Sequence, residues 1–272
     1  MKQNPFSFYD FLGYLIPGAF LLYSFYFGGI HYEWEMALQF KSQLKLNSSF
    51  GDLINLFPLV ISSYITGHLL SITSSFFIEK YSNCRNGYPS LYLFSGKGKG
   101  FFYKCSTLSF LGRVLLCLFI LPISIIDTIT HPVFRQNKKM DEKLLPVVFK
   151  KCMNILKHEF SIDTKSMNFN TGINGDSFRL IYHYAFENSE QHALKLQNYV
   201  ALYGFTRNIA MASLIIFWTL VILRFWLELQ VGSSLIISTA ILAFVFYKGF
   251  VKFYKRYTLE AMMAACVINK KD

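Results

Sequence analysis

The residues best suited to chemistry in this sequence are cations interleaved with aromatic rings. Lys97, Lys99, Phe101, Phe102, Tyr103 and Lys104 lie within eight positions of one another, and Phe134, Arg135, Lys138 and Lys139 follow. Lysine and arginine neutralise phosphates and aromatic faces stack on bases, so this pattern fits a nucleotide or a single-stranded nucleic acid. It also fits a segment lying on a membrane, with its cations on anionic headgroups and its rings in the interface. Lys150 and Lys151 add to the basic character, beside Lys143 and Lys157, on the polar side of a helix expected over Asp141 to Phe160. Lys97, Lys99, Lys104, Arg135, Lys138, Lys139, Lys150 and Lys151 are therefore the expected ligand contacts.

A second pattern lies in the apolar stretch Asp52 to Tyr81, where Ser63, Gly67, Ser71 and Ser74 recur along one side of a helix of membrane-spanning length, with His68 beside them. Small residues at this spacing let helices pack closely. Hydroxyls and an imidazole repeated around an oligomer would instead line a water-filled path for ions, so Ser63, Gly67, His68, Ser71 and Ser74 are the candidate pore lining. Thr66, Thr73 and Ser75 add polarity on adjoining faces, more than packing requires.

A catalytic function finds little support, because no GxSxG, HExxH, Walker, kinase or Rossmann pattern occurs. Ser95-Gly96-Lys97-Gly98-Lys99-Gly100 lacks the GxxxxGK[ST] frame of a phosphate-cradling loop. The only titratable pair that suggests a lipid-directed enzyme is Asp127 with His131, and Pro132 follows immediately. His31, His68, His131, His158, His183 and His192 show no metal-ligand spacing, and the five cysteines form no CxxC pair. The expectation is a protein that is not an enzyme and takes no metal or cofactor.

What must position these groups is a membrane bundle. Of the 272 residues 53% are hydrophobic and only 16% charged, a balance that points to membrane-spanning helices. Tyr9 to Ile30 has the roughly 20 apolar residues a helix needs to cross, with Asp10 at its start and Pro17-Gly18 expected to kink it. Asp52 to Tyr81 is the second span; Arg207 to Leu229 and Val231 to Tyr254 form a closing hairpin. Thr107 to Thr128 is apolar enough to cross, yet it carries Arg113, Pro122 and Asp127. Placing it on the membrane surface, or inside the soluble domain, keeps every strongly basic segment on one side. Between Glu79 and Arg207 lie 17 of the 27 basic residues against nine acids, which marks that region as cytoplasmic.

The expected architecture is mainly α: a four-transmembrane-helix bundle with a helical cytoplasmic domain inserted between spans two and three. Residues 1–81 form a transmembrane hairpin with spans at about 9–30 and 52–79. Residues 82–206 form the basic domain, with its apolar helix at about 107–128. A second hairpin follows at 207–254 and a basic tail at 255–272. Both termini are expected on the cytoplasmic side of the membrane.

The run Tyr9-Asp10-Phe11-Leu12-Gly13-Tyr14-Leu15-Ile16-Pro17-Gly18, with Glu79 and Arg85 after span two and Phe205-Thr206-Arg207-Asn208 at the start of span three, resembles small four-span effectors of bacterial anti-phage systems, most of all the membrane effectors of Hailong systems. The resemblance covers the whole chain in architecture, through short motifs. It implies a homo-oligomeric ion channel with a cytoplasmic crown that binds DNA oligomers made by a partner nucleotidyltransferase, the bound DNA holding the channel shut. The residues themselves support an ion-channel effector gated by a nucleotide or single-stranded DNA oligomer on its cytoplasmic domain. The alternative is a structural or adaptor membrane protein that recruits a partner through that domain.

Overall fold

The computed structural model describes residues 10–43, 51–96, 101, 106–130, 137–165 and 167–268. All regular structure among them is helical. A π-helical turn, Phe11–Leu15, leads into α1 (Ile16–His31), and α2 (Glu35–Gln43) follows. Then α3 (Gly51–Ser74) passes through a second π-helical turn, Ser75–Glu79, into α4 (Lys80–Asn86). Beyond it come α5 (Pro89–Ser95), α6 (Thr107–Phe119), α7 (Leu121–Thr130), α8 (Leu144–His158), α9 (Gly175–Glu187), α10 (Glu190–Phe225) and α11 (Ser233–Val267). Four helical runs, Phe11–His31, Phe57–Ser95, Glu190–Phe225 and Ser233–Val267, are long and apolar enough to cross a membrane, which is compatible with a multi-pass membrane protein. The pair α6 and α7 passes the same test only if taken together, and its two helices meet at 94°. Pro122 explains the break: it lacks the N–H that a continuing helix would donate to Leu118.

The chain divides into two compact units. The first comprises residues up to Ile78, Ile120–Asp127 and Gly204–Phe250. Its organising contact joins the start of the chain to α3. Built on either glycine, a Cβ would collide with backbone of the other helix, at Gly18 with the carbonyl oxygen of Ser63 and at Gly67 with that of Tyr14. Glycine is what lets these two backbones touch. The ring of Tyr14 then stacks on His68 at 4.0 Å, and Tyr64 meets His68 edge-on at 4.6 Å. At the far end of α10, Arg224 donates to the Val231 carbonyl at 3.3 Å and to the Ser233 hydroxyl, pinning the turn into α11.

The second unit comprises Glu79–Phe119, Thr128–Tyr203 and Val251–Asp272. Its core brings the apolar sides of α8 and α9 together with the last turns of α11. From α8 come Leu145, Val148, Phe149, Cys152 and Leu156, at the spacing that places them on one helical face. Phe178, Ile181 and Ala185 contribute from α9. The Asn174 side chain caps α9, accepting from the Ser177 N–H at 2.8 Å. Gly172 has φ +67°, and a Cβ there would sit 2.7 Å from the Leu91 Cα, so both the turn and its approach to α5 require glycine. The segment expected as a basic tail from residue 255 is instead helical as far as Val267. It supplies Ala261, Met262, Ala264 and Ala265 to this core, because small residues on that face admit close neighbours.

Candidate functional site

The second unit holds an open cavity of about 570 Å³ whose wall is dominated by cations: Lys138, Lys252, Lys255 and Arg256. Tyr199 and Leu259 add a ring and an aliphatic surface, and Glu260 is the carboxylate of the lining. Lys252, Lys255 and Arg256 converge because positions i, i+3 and i+4 share one side of α11. Lys138 reaches the cavity from the non-helical segment ahead of α8. Glu260 also lies against two other groups, His192 Nδ1 at 3.4 Å and Lys195 Nζ at 4.0 Å. Such a cavity favours an anion with several charges on a small head.

Of the expected ligand contacts, Lys97, Lys99, Lys104 and Arg135 lie outside the described residues, as do Phe102, Tyr103, Phe134 and His131. Lys138 lines the cavity. The side chain of Lys139 instead runs past Gly96, where a Cβ would lie 3.2 Å from the lysine Cβ. Lys150 and Lys151 stand exposed on α8 and do not line the cavity. Phe101 is a core residue packed on Tyr81 at 5.5 Å, and Arg113 donates to its carbonyl oxygen. Its ring is therefore not a platform for a base. Lys252, Lys255 and Arg256 are not among the expected ligand contacts; their i, i+3, i+4 spacing is the signal that marks them as one positively charged face.

In the first unit the small and polar row of α3 is distributed over several contacts. Ser63 is 3% exposed and its hydroxyl donates to the Leu59 carbonyl of its own helix at 2.8 Å. Gly67 abuts the Tyr14 backbone. Ser71 Oγ accepts from Arg207 Nη2 at 3.2 Å. Ser74 is fully buried and donates to Asn208 Oδ1 at 2.6 Å. Ser63, Gly67 and Ser74 are thus engaged in helix packing inside a single chain. His68 is exposed and is held by its two tyrosine neighbours.

Asn208 ties three segments together, since its Nδ2 also donates to the Gly13 carbonyl at 2.7 Å. That carbonyl has no donor at i+4, because residue 17 is proline. The side chain from α10 supplies that carbonyl with a donor from outside its own helix. Asn208→Leu should cost about 1 to 3 kcal/mol, because a buried acceptor loses its donor. Ser74→Ala should cost about 1 kcal/mol or less, since Asn208 keeps its other bond. Thermal melts of the purified protein in detergent would rank the two, and the reverse order would refute this role for Asn208.

Asp127 is 2% exposed and pairs with Lys248 Nζ at 2.6 Å, within the first unit. The carboxylate considered as a catalytic partner for His131 is therefore engaged with α11. Among the described residues no group of three histidine, cysteine, aspartate or glutamate side chains could hold a metal. Comparison with known protein families, curated proteins and solved structures finds no match.

Proposed function

We propose that this chain is a membrane effector of the anti-phage type: a homo-oligomeric ion channel in a bacterial cell membrane, gated by a phosphate-bearing ligand on its basic unit. The ligand is a nucleotide or a single-stranded DNA oligomer supplied by a partner nucleotidyltransferase, and both termini are cytoplasmic. The observation that carries this reading is the cavity where Lys138, Lys252, Lys255 and Arg256 meet. Three of these cations belong to α11, the helix that also contributes a membrane-spanning run, so ligand binding acts on an element of the bundle itself. For the conducting path, His68 is the most exposed member of the α3 row, with Ser71 next; Ser63, Gly67 and Ser74 hold the helices that present them.

Purified protein in planar bilayers should conduct, and short single-stranded DNA should change its open probability. Absence of conductance with and without DNA would overturn the channel. Binding of the same DNA should weaken with salt at a log–log slope of about −0.7 per phosphate contacted. A flat dependence would remove phosphate contacts from the argument. The adaptor alternative predicts a monomer in detergent, where one copy of α3 cannot surround a pore.

A further inference from the structure

We propose that the cavity in the second unit is a receptor for a terminal phosphate, either a phosphomonoester or a pyrophosphate, rather than for the diester backbone of a strand. This rests on the reading that the unit binds a phosphate-bearing ligand, and it specifies which part of such a ligand is held and by which side chains.

Charge density is the first reason. Lys252, Lys255 and Arg256 occupy a single turn of α11, and Lys138 closes on them from another part of the chain, so four cations face one volume of about 570 Å³. That is the size of a pocket for one small molecule. A diester strand carries a single charge per phosphate and would spread those charges along its length. A terminal phosphate or pyrophosphate places two or more on one compact head, which matches four cations around one cavity.

The second reason is the cost of leaving the cations together. Like charges at i, i+3 and i+4 destabilise a helix, and Lys138 is near enough to Lys255 for their charges to oppose each other. Glu260, the carboxylate lining the cavity among the described residues, divides its attraction among the cavity, His192 and Lys195. A multiply charged anion would face all four cations at once, whereas Glu260 also lies against groups outside the cavity.

Arg256 supplies a planar fork that can take two phosphate oxygens at once, while the lysines act as point charges. Tyr199 and Leu259 leave a ring and an aliphatic surface for whatever the phosphate is attached to. Two sources share this chemistry. One is a soluble nucleotide or the phosphorylated end of an oligonucleotide. The other is a phosphomonoester lipid headgroup, which clustered basic residues near a membrane surface are suited to hold.

The test uses the full chain in nanodiscs of neutral lipid. Pyrophosphate and ATP should bind, AMP more weakly and adenosine not at all, by isothermal titration calorimetry. Lys252→Gln with Arg256→Gln should weaken pyrophosphate binding at least tenfold. Lys157→Gln, an exposed change on α8, should leave it unaltered, with melting temperatures confirming that both variants fold. A hexamer of deoxythymidine bearing a 5′-phosphate should bind more tightly than its 5′-hydroxyl form, and pyrophosphate should compete with it. Incorporating phosphatidic acid in the nanodiscs, but not the diester phosphatidylglycerol, should block pyrophosphate if a lipid headgroup is the resident ligand; a soluble source predicts no such block.

Equal binding of the two hexamers, with no competition by pyrophosphate, would overturn the terminal-phosphate assignment and leave the nucleic-acid-gated reading standing. Binding of pyrophosphate without binding of any oligonucleotide would do the opposite. Failure of pyrophosphate, ATP and phosphatidic acid alike would overturn the site.

Discussion

Asp127→Asn should destabilise the protein by about 3 to 5 kcal/mol, the cost of removing one partner from a buried ion pair. The carboxylate is almost fully enclosed, and Lys248 Nζ lies 2.6 Å from it with only 17% of the lysine side chain exposed. Without the aspartate, the ammonium loses its 2.6 Å partner and keeps the rings of Phe244 and Tyr247 nearby, 5.4 and 6.0 Å from their centres. Those faces attract a cation, but by less than a desolvated carboxylate does. Lys248→Met should also be damaging, because it removes the cation 2.6 Å from the buried carboxylate. The two changes together should recover much of the loss, since well-packed apolar replacements for a buried pair are often neutral or stabilising. Melting temperatures of all four proteins in detergent form the cycle. A double variant as unstable as the sum of the singles would show that the pair is not coupled.

Gly67→Ala should be among the most damaging single methyl additions in the chain, at about 3 kcal/mol or more. The new methyl would meet the carbonyl oxygen, carbonyl carbon and Cα of Tyr14. Backbone cannot rotate away as a side-chain end can, so the helices must separate, and overpacking of this kind commonly costs 1–3 kcal/mol or above. Gly28→Ala is the matched control on α1. Nothing lies within 4 Å of a Cβ there, and replacing a helical glycine stabilises by up to about 1 kcal/mol. Opposite signs in thermal melts would establish the close approach. Two variants of equal stability would discard it, and a Gly67→Ala protein that stays folded with altered conductance would return Gly67 to the pore wall.

Much of the helical framework was legible in the residues taken locally. The length of each apolar run locates the helices able to cross a membrane, and the spacing of Leu145, Val148, Phe149, Cys152 and Leu156 marks the buried side of α8. Asn174 ahead of α9 and Pro122 at the α6–α7 break act through the backbone within one turn of themselves. Composition and period report on neighbours along the chain, so such features need no knowledge of the fold.

Long-range partnerships were not legible. Asn208 meets Gly13 across 195 positions, and Asp127 meets Lys248 across 121. Nothing in either residue's surroundings names its partner. The basic and aromatic stretch suggested a ligand surface by composition, yet Phe101 went to the core, Lys139 packed by Gly96, and Lys138 alone among the described lysines of that reading joined the cavity. Lys252 fell within the last expected hairpin, Lys255 and Arg256 in the expected basic tail, and all three line the candidate site. Sequence by itself determined which segments are helical and apolar enough for a membrane, because those properties sum over adjacent residues. Only the tertiary structure decided which cations share one volume and which small residues are spent on packing, because those depend on where distant helices touch.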